Sequence, residues 1–386
     1  MPENIPHLQD IIKLRQQLHQ YPELSSQEYT TAKRVVEHLH QYHPDNIISN
    51  IGGTGVAAVF EGKDPKGPTI LFRAELDALP ILETGVALYK SQTENVAHLC
   101  GHDGHMAILA GVGSLLTQQR PNKGKVILLF QPAEETGAGA WSVVQDKQFQ
   151  ELKPDYVFAL HNLPGVPLHQ IIIRTGVFAA ASTGIITEFL GKPSHAAEPE
   201  NGINPGLAMA ELVQKLNKLV QHENQFQNLA LLTVIHARLG EIAFGTNPGF
   251  ATVMATLRAY QPEDFEKLKL QAESAAKSVA DKYKLKNSVT YVEEFPATVN
   301  NQECVQLVKK AAEKLHLQVE HAATPFRWSE DFGHFTSKYK GALFGIGSGI
   351  DQPQLHHSDY DFPDELIETG AKMFLAVAQE IWQFES

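Results

Sequence analysis

The chain has 386 residues, and 44 acidic against 32 basic side chains leave a formal charge of −12. With 43% hydrophobic and 20% charged residues, it can build a packed core and lacks the signature of disorder. No Lys/Arg run suggests a nucleic-acid partner, and no apolar stretch approaches the ~18 residues of a membrane span.

The first ten residues carry neither the basic start nor the apolar core of a secretory signal. Two cysteines, Cys100 and Cys304, are too few for a disulfide framework. Both features predict a cytoplasmic protein. Two helices open the chain. Ile11, Leu14 and Leu18 form one apolar stripe; after Pro22, Ser25 and Glu28 have capping-box spacing ahead of Ala32, Val35, Val36 and Leu39. Short apolar runs follow at Val56–Phe60, Thr69–Ala74, Val126–Phe130, Tyr156–Leu160 and Gln170–Arg174, with a helix over Met106–Gln119. Apolar strands alternating with helices predict an α/β fold, a mostly parallel sheet sandwiched by helices.

The pattern changes near residue 180. Strand Ile185–Leu190, helix Pro205–Gln221 and strand Leu231–Arg238 are followed by strand Ala251–Tyr260, helix Pro262–Tyr283 and strand Ser288–Val292. That order predicts an α+β ferredoxin-like unit. It is inserted, because helix Gln302–Leu315, strand Gly341–Ile346 and a helix from Pro363 resume the α/β character. The expected organisation is 1–180 and 295–386 as one catalytic domain around an inserted 181–294.

The densest chemistry is H-L-C-G-H-D-G-H, His98 to His105, just ahead of a helix. Cys100 and His102 flank a glycine, so both side chains can turn to one ion; a cytosolic Cys beside His reads as ligand or nucleophile. Glu134 and Glu135 follow the strand V-I-L-L-F. Adjacent carboxylates repel unless a cation lies beside them. One can bind metal while the other moves protons, the division that metal-assisted hydrolysis needs. His161 ends the run Y-V-F-A-L-H, His356 and His357 follow the Gly-rich G-I-G-S-G, and Asp77 follows T-I-L-F, placed to orient a ligand imidazole. The carboxyl ends of strands in an open α/β sheet line one crevice. Cys100, His102, Glu134, Glu135, His161 and His356 are therefore expected to converge around two divalent ions. The chain has no G-x-S-x-G elbow, no phosphate loop, no G-x-G-x-x-G fingerprint and no H-E-x-x-H pair.

These residues resemble the aminoacylase/carboxypeptidase family of co-catalytic metallohydrolases, and more closely its amidohydrolase branch of hippurate and indole-acetyl-amino-acid hydrolases. The likeness rests on L-H-Q-Y-P-E-L-S (Leu18–Ser25), R-A-E-L-D-A-L-P-I (Arg73–Ile81), C-G-H-D-G-H (Cys100–His105) and Q-P-A-E-E (Gln131–Glu135). G-K-P-S-H-A-A (Gly191–Ala197), S-E-D-F (Ser329–Phe332) and L-H-H-S-D-Y-D-F (Leu355–Phe362) extend it. It implies that Cys100, His102, Glu135, His161 and His356 hold two metal ions of zinc, manganese, cobalt or nickel. His357 is the alternative to His356. Glu134 is implied as general base, Asp77 as the residue that orients an imidazole, and the inserted unit as a lid or dimerisation domain. His195 would bind the substrate carbonyl oxygen. Where many relatives carry N-V-I-P, this chain has Gly245–Phe250; Asn247 takes that place and, with Arg258, is the candidate contact to substrate.

The implied activity is hydrolysis of a small N-acyl amino acid, with no nucleic-acid or membrane partner and with a homodimer formed through the inserted unit. A deacetylase of an acetylated diamino acid or an exopeptidase is the alternative within the enzyme class. A non-catalytic binding protein and a metal-free cysteine enzyme are alternatives of other classes.

Overall fold

The computed structural model describes residues 5–221 and 225–384. The chain forms two compact units, Met1–Phe178 with Thr298–Pro325 and Asp331–Ser386, and Ala179–Ala297 with Phe326–Glu330. The first stretch contains α1 (Leu8–Gln20), α2 (Tyr29–Leu39), β1 (Asn46–Ile51), β2 (Gly55–Glu61), β3 (Asp64–Glu75) and α3 (His102–Gln118). It continues with β4 (Lys123–Gln131), α4 (Gly139–Gln145), α5 (Lys147–Leu152), β5 (Tyr156–Pro164), β6 (Ile171–Ile173) and β7 (Gly176–Ala179). The second unit holds β8 (Ala181–Leu190), β9 (Ser194–His195), α6 (Gly206–Lys218), β10 (Ala230–Leu239), β11 (Thr246–Asn247), β12 (Phe250–Ala259), α7 (Pro262–Tyr283) and β13 (Lys286–Phe295). The return brings β14 (Thr298–Asn300), α8 (Gln302–Lys314), β15 (Val319–His321), α9 (Gly333–Thr336), β16 (Lys340–Gly349) and α10 (Glu365–Phe384).

In the first unit one sheet runs β1-β2-β4-β3-β5-β16-β6-β15. Its centre, β4-β3-β5-β16, is parallel, as expected of strands buried on both faces. Its margins depart from that pattern. β1, β2 and β6 lie antiparallel to their inner neighbours; β1 and β2 are joined by a turn through Gly52 (φ 61°) and Gly53 (φ 122°), which an antiparallel pair permits and a parallel pair does not. Every residue of α3 from His102 to Leu116 is buried, as befits a helix that is apolar on all sides beyond its first turn. Phe72 of β3 and Phe344 of β16 pack on Phe374 of α10, with centroids 4.7 and 5.7 Å apart. Burying each such side chain is worth about 2–3 kcal/mol, which makes a rigid backing for the strand ends.

Two local expectations are corrected. α3 begins at His102, with Gly101 (φ 94°) as its N-cap, so the end of the Cys-His segment is a first helical turn and not a loop. Ser25 and Glu28 do not form a capping box, since α2 starts at Tyr29 without a side-chain cap. Both side chains are drawn into buried tertiary hydrogen bonds, which outweigh a solvent-facing cap.

The second unit is a four-stranded antiparallel sheet, β10-β12-β8-β13, the strand order of a ferredoxin-like β-α-β-β-α-β unit. Leu212 and Leu216 of α6 and Leu268, Ala272, Ala276 and Val279 of α7 are buried in its core. Pro262 begins α7, and Glu263 and Asp264 in its first turn complement the helix dipole. Among the described residues, no helix is long and apolar enough to cross a membrane.

Candidate active site

The parallel strands of the first unit deliver their chemistry at one end. Asp77 lies two residues beyond β3, Glu134 and Glu135 follow β4, His161 sits in β5, and His356 follows β16. His102 opens α3 behind Cys100. The turn before Glu134 holds Ala133 at φ 49°, an uncommon conformation for a residue with a side chain. Two buried carboxylates secure it: Glu28 Oε1 accepts the Ala133 N–H at 2.8 Å, and Asp77 Oδ2 accepts the Glu135 N–H at 3.0 Å. Glu28 also accepts the Thr54 hydroxyl, and Asp77 the Ser25 hydroxyl, each at 2.7 Å.

Six predicted residues meet. Donor atoms of Cys100, His102 and His161 lie within 4.8 Å of one another, as do those of Cys100, Glu135 and His356, and those of His102, Glu134 and Glu135. Cys100 is common to the first two groups. Its Sγ is 3.6 Å from His161 Nε2, and His102 Nε2 is 3.8 Å from both Glu134 Oε2 and Glu135 Oε1. His356 Nε2 lies 3.9 Å from Glu135 Oε2. His357 enters none of the donor groups found among the described residues.

The imidazoles are oriented by backbone. His102 Nδ1 donates to the Asp77 carbonyl at 2.8 Å, and His161 Nδ1 to the Asn162 carbonyl at 2.9 Å. A carbonyl only accepts, so in each neutral ring Nε2 presents its lone pair to the cluster. The Asp77 carboxylate stands farther off, with Oδ1 3.6 Å from His102 Nδ1. Asp77 thus meets the His102 imidazole through its main-chain oxygen. His102 Nε2 is buried and accepts no hydrogen bond among the described residues, a cost of about 1–3 kcal/mol that a cation would remove.

Burial pushes the Cys100 thiol up to about 12, and the Glu135 charge adds to the effect. Such a thiol ionises at neutral pH only beside a cation, which disfavours a metal-free Cys100 nucleophile. One sulfur, imidazole nitrogens and carboxylates suit borderline divalent metals, so the donor set fits such ions.

A second layer escaped the sequence reading. Arg73 donates from Nε to Gln131 Oε1 at 2.8 Å and from Nη2 to Asp331 Oδ1 at 2.6 Å, and it also pairs with Glu75. Burial favours the neutral form of Glu75, but the Arg73 and His105 charges outweigh it and hold the carboxyl well below the usual range. His105 is fixed between Glu75 Oε2 and Asn162 Oδ1, each at 2.6 Å. His98 is buried with both ring nitrogens unpartnered among the described residues. The three histidines of the segment thus have three different surroundings.

In the second unit, His195 of β9 pairs with Thr246 of β11. Its Nδ1 accepts the Ala197 N–H at 3.0 Å, which leaves Nε2 as the donor of the neutral ring. Asn247 is engaged within its own loop, donating to Ser194 Oγ at 3.0 Å and accepting from Asn204 at 2.7 Å. Arg258 donates to Ser329 Oγ at 2.8 Å and to the Arg327 carbonyl at 3.1 Å.

Comparison with known proteins agrees with this picture. The sequence pattern of Peptidase family M20/M25/M40 matches residues 71–380. A hippurate hydrolase of Campylobacter jejuni is 32% identical over 380 residues, covering 98% of each chain. An N-acetyl-L-cysteine deacetylase of Bacillus subtilis is 33% identical over 380 residues, covering 97% of this chain and 88% of that protein. Among solved structures, a dinuclear metal binding peptidase of the M20 family from Bacillus subtilis superimposes with a TM-score of 0.82 at 26% identity, covering 97% of this chain and 98% of that one.

Proposed function

The chain belongs to Peptidase family M20/M25/M40, and from that premise we propose that it is a metal-dependent amidohydrolase, cleaving a small N-acyl amino acid into a carboxylic acid and a free amino acid. The observation that carries this reading is Cys100 standing in two donor groups at once, with Glu134 beside them. Cys100, His102, Glu135, His161 and His356 would hold the two divalent ions between them. Bound ions supply Lewis acidity and lower the pKa of water to about 7. Glu134 takes a proton from the attacking water and delivers one to the leaving nitrogen. Glu28 and Asp77 keep the Glu134–Glu135 turn in place. His195 donates its Nε2–H to the substrate's carbonyl oxygen as negative charge develops there, an interaction worth about 3 kcal/mol per donor. Asn247 acts through the ribbon that carries His195, and Arg258 is the candidate cation for the substrate carboxylate. Water is excluded when the inserted unit acts as a lid.

Sulfur and imidazole favour zinc, cobalt or nickel, and the carboxylates admit manganese. Two buried, unpaired cysteines support a reducing cytoplasm. The edge strand β10 supports pairing of two copies. Relatives of near-equal identity are a hippurate hydrolase and an N-acetylcysteine deacetylase, so the acyl group is a matter for assay. Purified, metal-loaded protein is expected to hydrolyse some members of a panel of benzoyl, acetyl and indole-acetyl amino acids and dipeptides. Glu134→Gln is expected to lose turnover while retaining its metal. Substantial activity in that variant would refute the assignment of the base.

A further inference from the structure

The donor cluster occupies the carboxyl ends of the parallel strands, and their amino ends open onto a cavity of about 990 Å3. Its wall includes Lys123, Tyr156 and Lys340, the first residues of β4, β5 and β16. In a chain of net charge −12, this wall carries five cations, Lys66, Arg120, Lys123, Lys338 and Lys340, against one carboxylate, Asp155. Asp155 is engaged by the Thr69 N–H at 2.8 Å. Arg120 pairs with Asp45, and Lys340 with Glu303 at 3.1 Å. Lys66, Lys123 and Lys338 have no carboxylate partner among the described residues, although Lys338 Nζ lies 5.7 Å from the centre of the Trp141 ring.

Part of this charge is ordinary. Helices α3 and α10 end at the same rim, contributing Gln119 and Trp382, and a helix C-terminus carries about half a negative charge. Two such ends and Asp155 offset about two of the three unpaired lysines. About one positive charge is left over, enough for a monoanion and too little for a polyphosphate. Tyr339 and Trp382, both half-buried, supply ring surface beside it, and ring surface recognises flat apolar bodies.

We propose that this cavity is a second binding site, for a monovalent aromatic carboxylate or sulfonate, remote from the donor cluster. The anionic group lies among Lys66, Lys123 and Lys338, and the ring system lies against Tyr339 and Trp382. The site does not depend on the hydrolytic reading, because its wall contains none of the proposed metal ligands or catalytic groups.

The test is calorimetric titration of the full chain with 2-naphthoate, neutral 2-naphthamide and acetate. Naphthoate is expected to bind saturably, with the amide and acetate each at least about tenfold weaker. Lys123→Gln/Lys338→Gln should weaken naphthoate about tenfold, since it removes two of the three cations around the anionic group. Hydrolysis by the metal-loaded double variant should match wild type, which separates this site from naphthoate held as a product at the donor cluster. As a second readout, naphthoate should slow acetylation of Lys123 and Lys338 by an amine-reactive ester, followed by peptide mass spectrometry. Unchanged naphthoate affinity in the double variant, or acetylation rates indifferent to naphthoate, would overturn the proposal.

Discussion

Glu28 shows how much of the site depends on residues that never meet a substrate. Its carboxylate is buried and holds the Ala133 N–H and the Thr54 hydroxyl; burial raises its pKa, and these hydrogen bonds only partly oppose that rise. Glu28→Ala would strand two buried donors, and the expected loss of stability is about 3 kcal/mol, read from urea unfolding. Release of the turn should lower kcat on the order of 10- to 100-fold, the usual penalty for misplacing a reacting group, while KM stays near wild type. Glu28→Gln, which restores an acceptor, should recover most of both quantities. A Glu28→Ala enzyme with unchanged kcat would show that the turn holds itself. The pairing explains why sequence spacing misled at this position. Ser25 and Glu28 satisfy a local helix-start pattern, yet Ser25 reaches Asp77, 52 residues away, and Glu28, besides the Ser26 N–H, reaches Ala133, 105 residues away. Arg73 was missed for the same reason, since Asp331 lies 258 residues off and nothing near Arg73 announces it. By contrast, the donors were legible, because Cys100–His102 and Glu134–Glu135 place unusual chemistry side by side at element ends.

Among the elements, the strands and α3 were the most legible and their margins the least. Long apolar runs survive any misreading of their ends, whereas the start of α3 depends on one glycine. Gly101 holds φ 94°, and a Cβ there would come within 2.7 Å of the Asn162 amide. Gly101→Ala meets both a backbone penalty of about 1–2 kcal/mol and that collision. The first turn of α3 should shift and carry His102 with it. Metal retained after dialysis is expected to fall on the order of tenfold, measured by atomic emission on the folded variant. Full metal content would mean that α3 tolerates a displaced start. The antiparallel margins of the sheet were invisible for a related reason: strand composition reports burial, while direction follows from the connections.

Across the whole molecule, buried histidines set opposing pH limits. Burial would lower the pKa of His19, but its hydrogen bonds to Asp103 and Glu83 outweigh this and raise it from 6.5 to about 10. The folded chain therefore holds that proton more tightly than the unfolded chain. The stabilisation is complete below pH 6.5 and is lost as pH rises through about 10. Burial lowers His38 and His98 from 6.5 to about 4. Both are neutral when folded, so their contribution is present above 6.5 and is lost as pH falls through about 4. For His98 the effect is on the order of 3 kcal/mol. Unfolding midpoints in urea should therefore peak near neutrality and decline on both sides, and His19→Gln should flatten the alkaline decline. A wild-type midpoint still climbing between neutral pH and 9 would contradict this.

Cys100 belongs to two donor groups, and one atom cannot serve two guests independently. Whichever ion arrives first draws the thiol proton away and leaves its successor a sulfur already polarised. Loading is then sequential, with a tight first step and a weaker second. Calorimetric titration of stripped protein separates the two steps; Cys100→Ser is expected to weaken both, and a variant that loses only one would show that the sulfur is not shared.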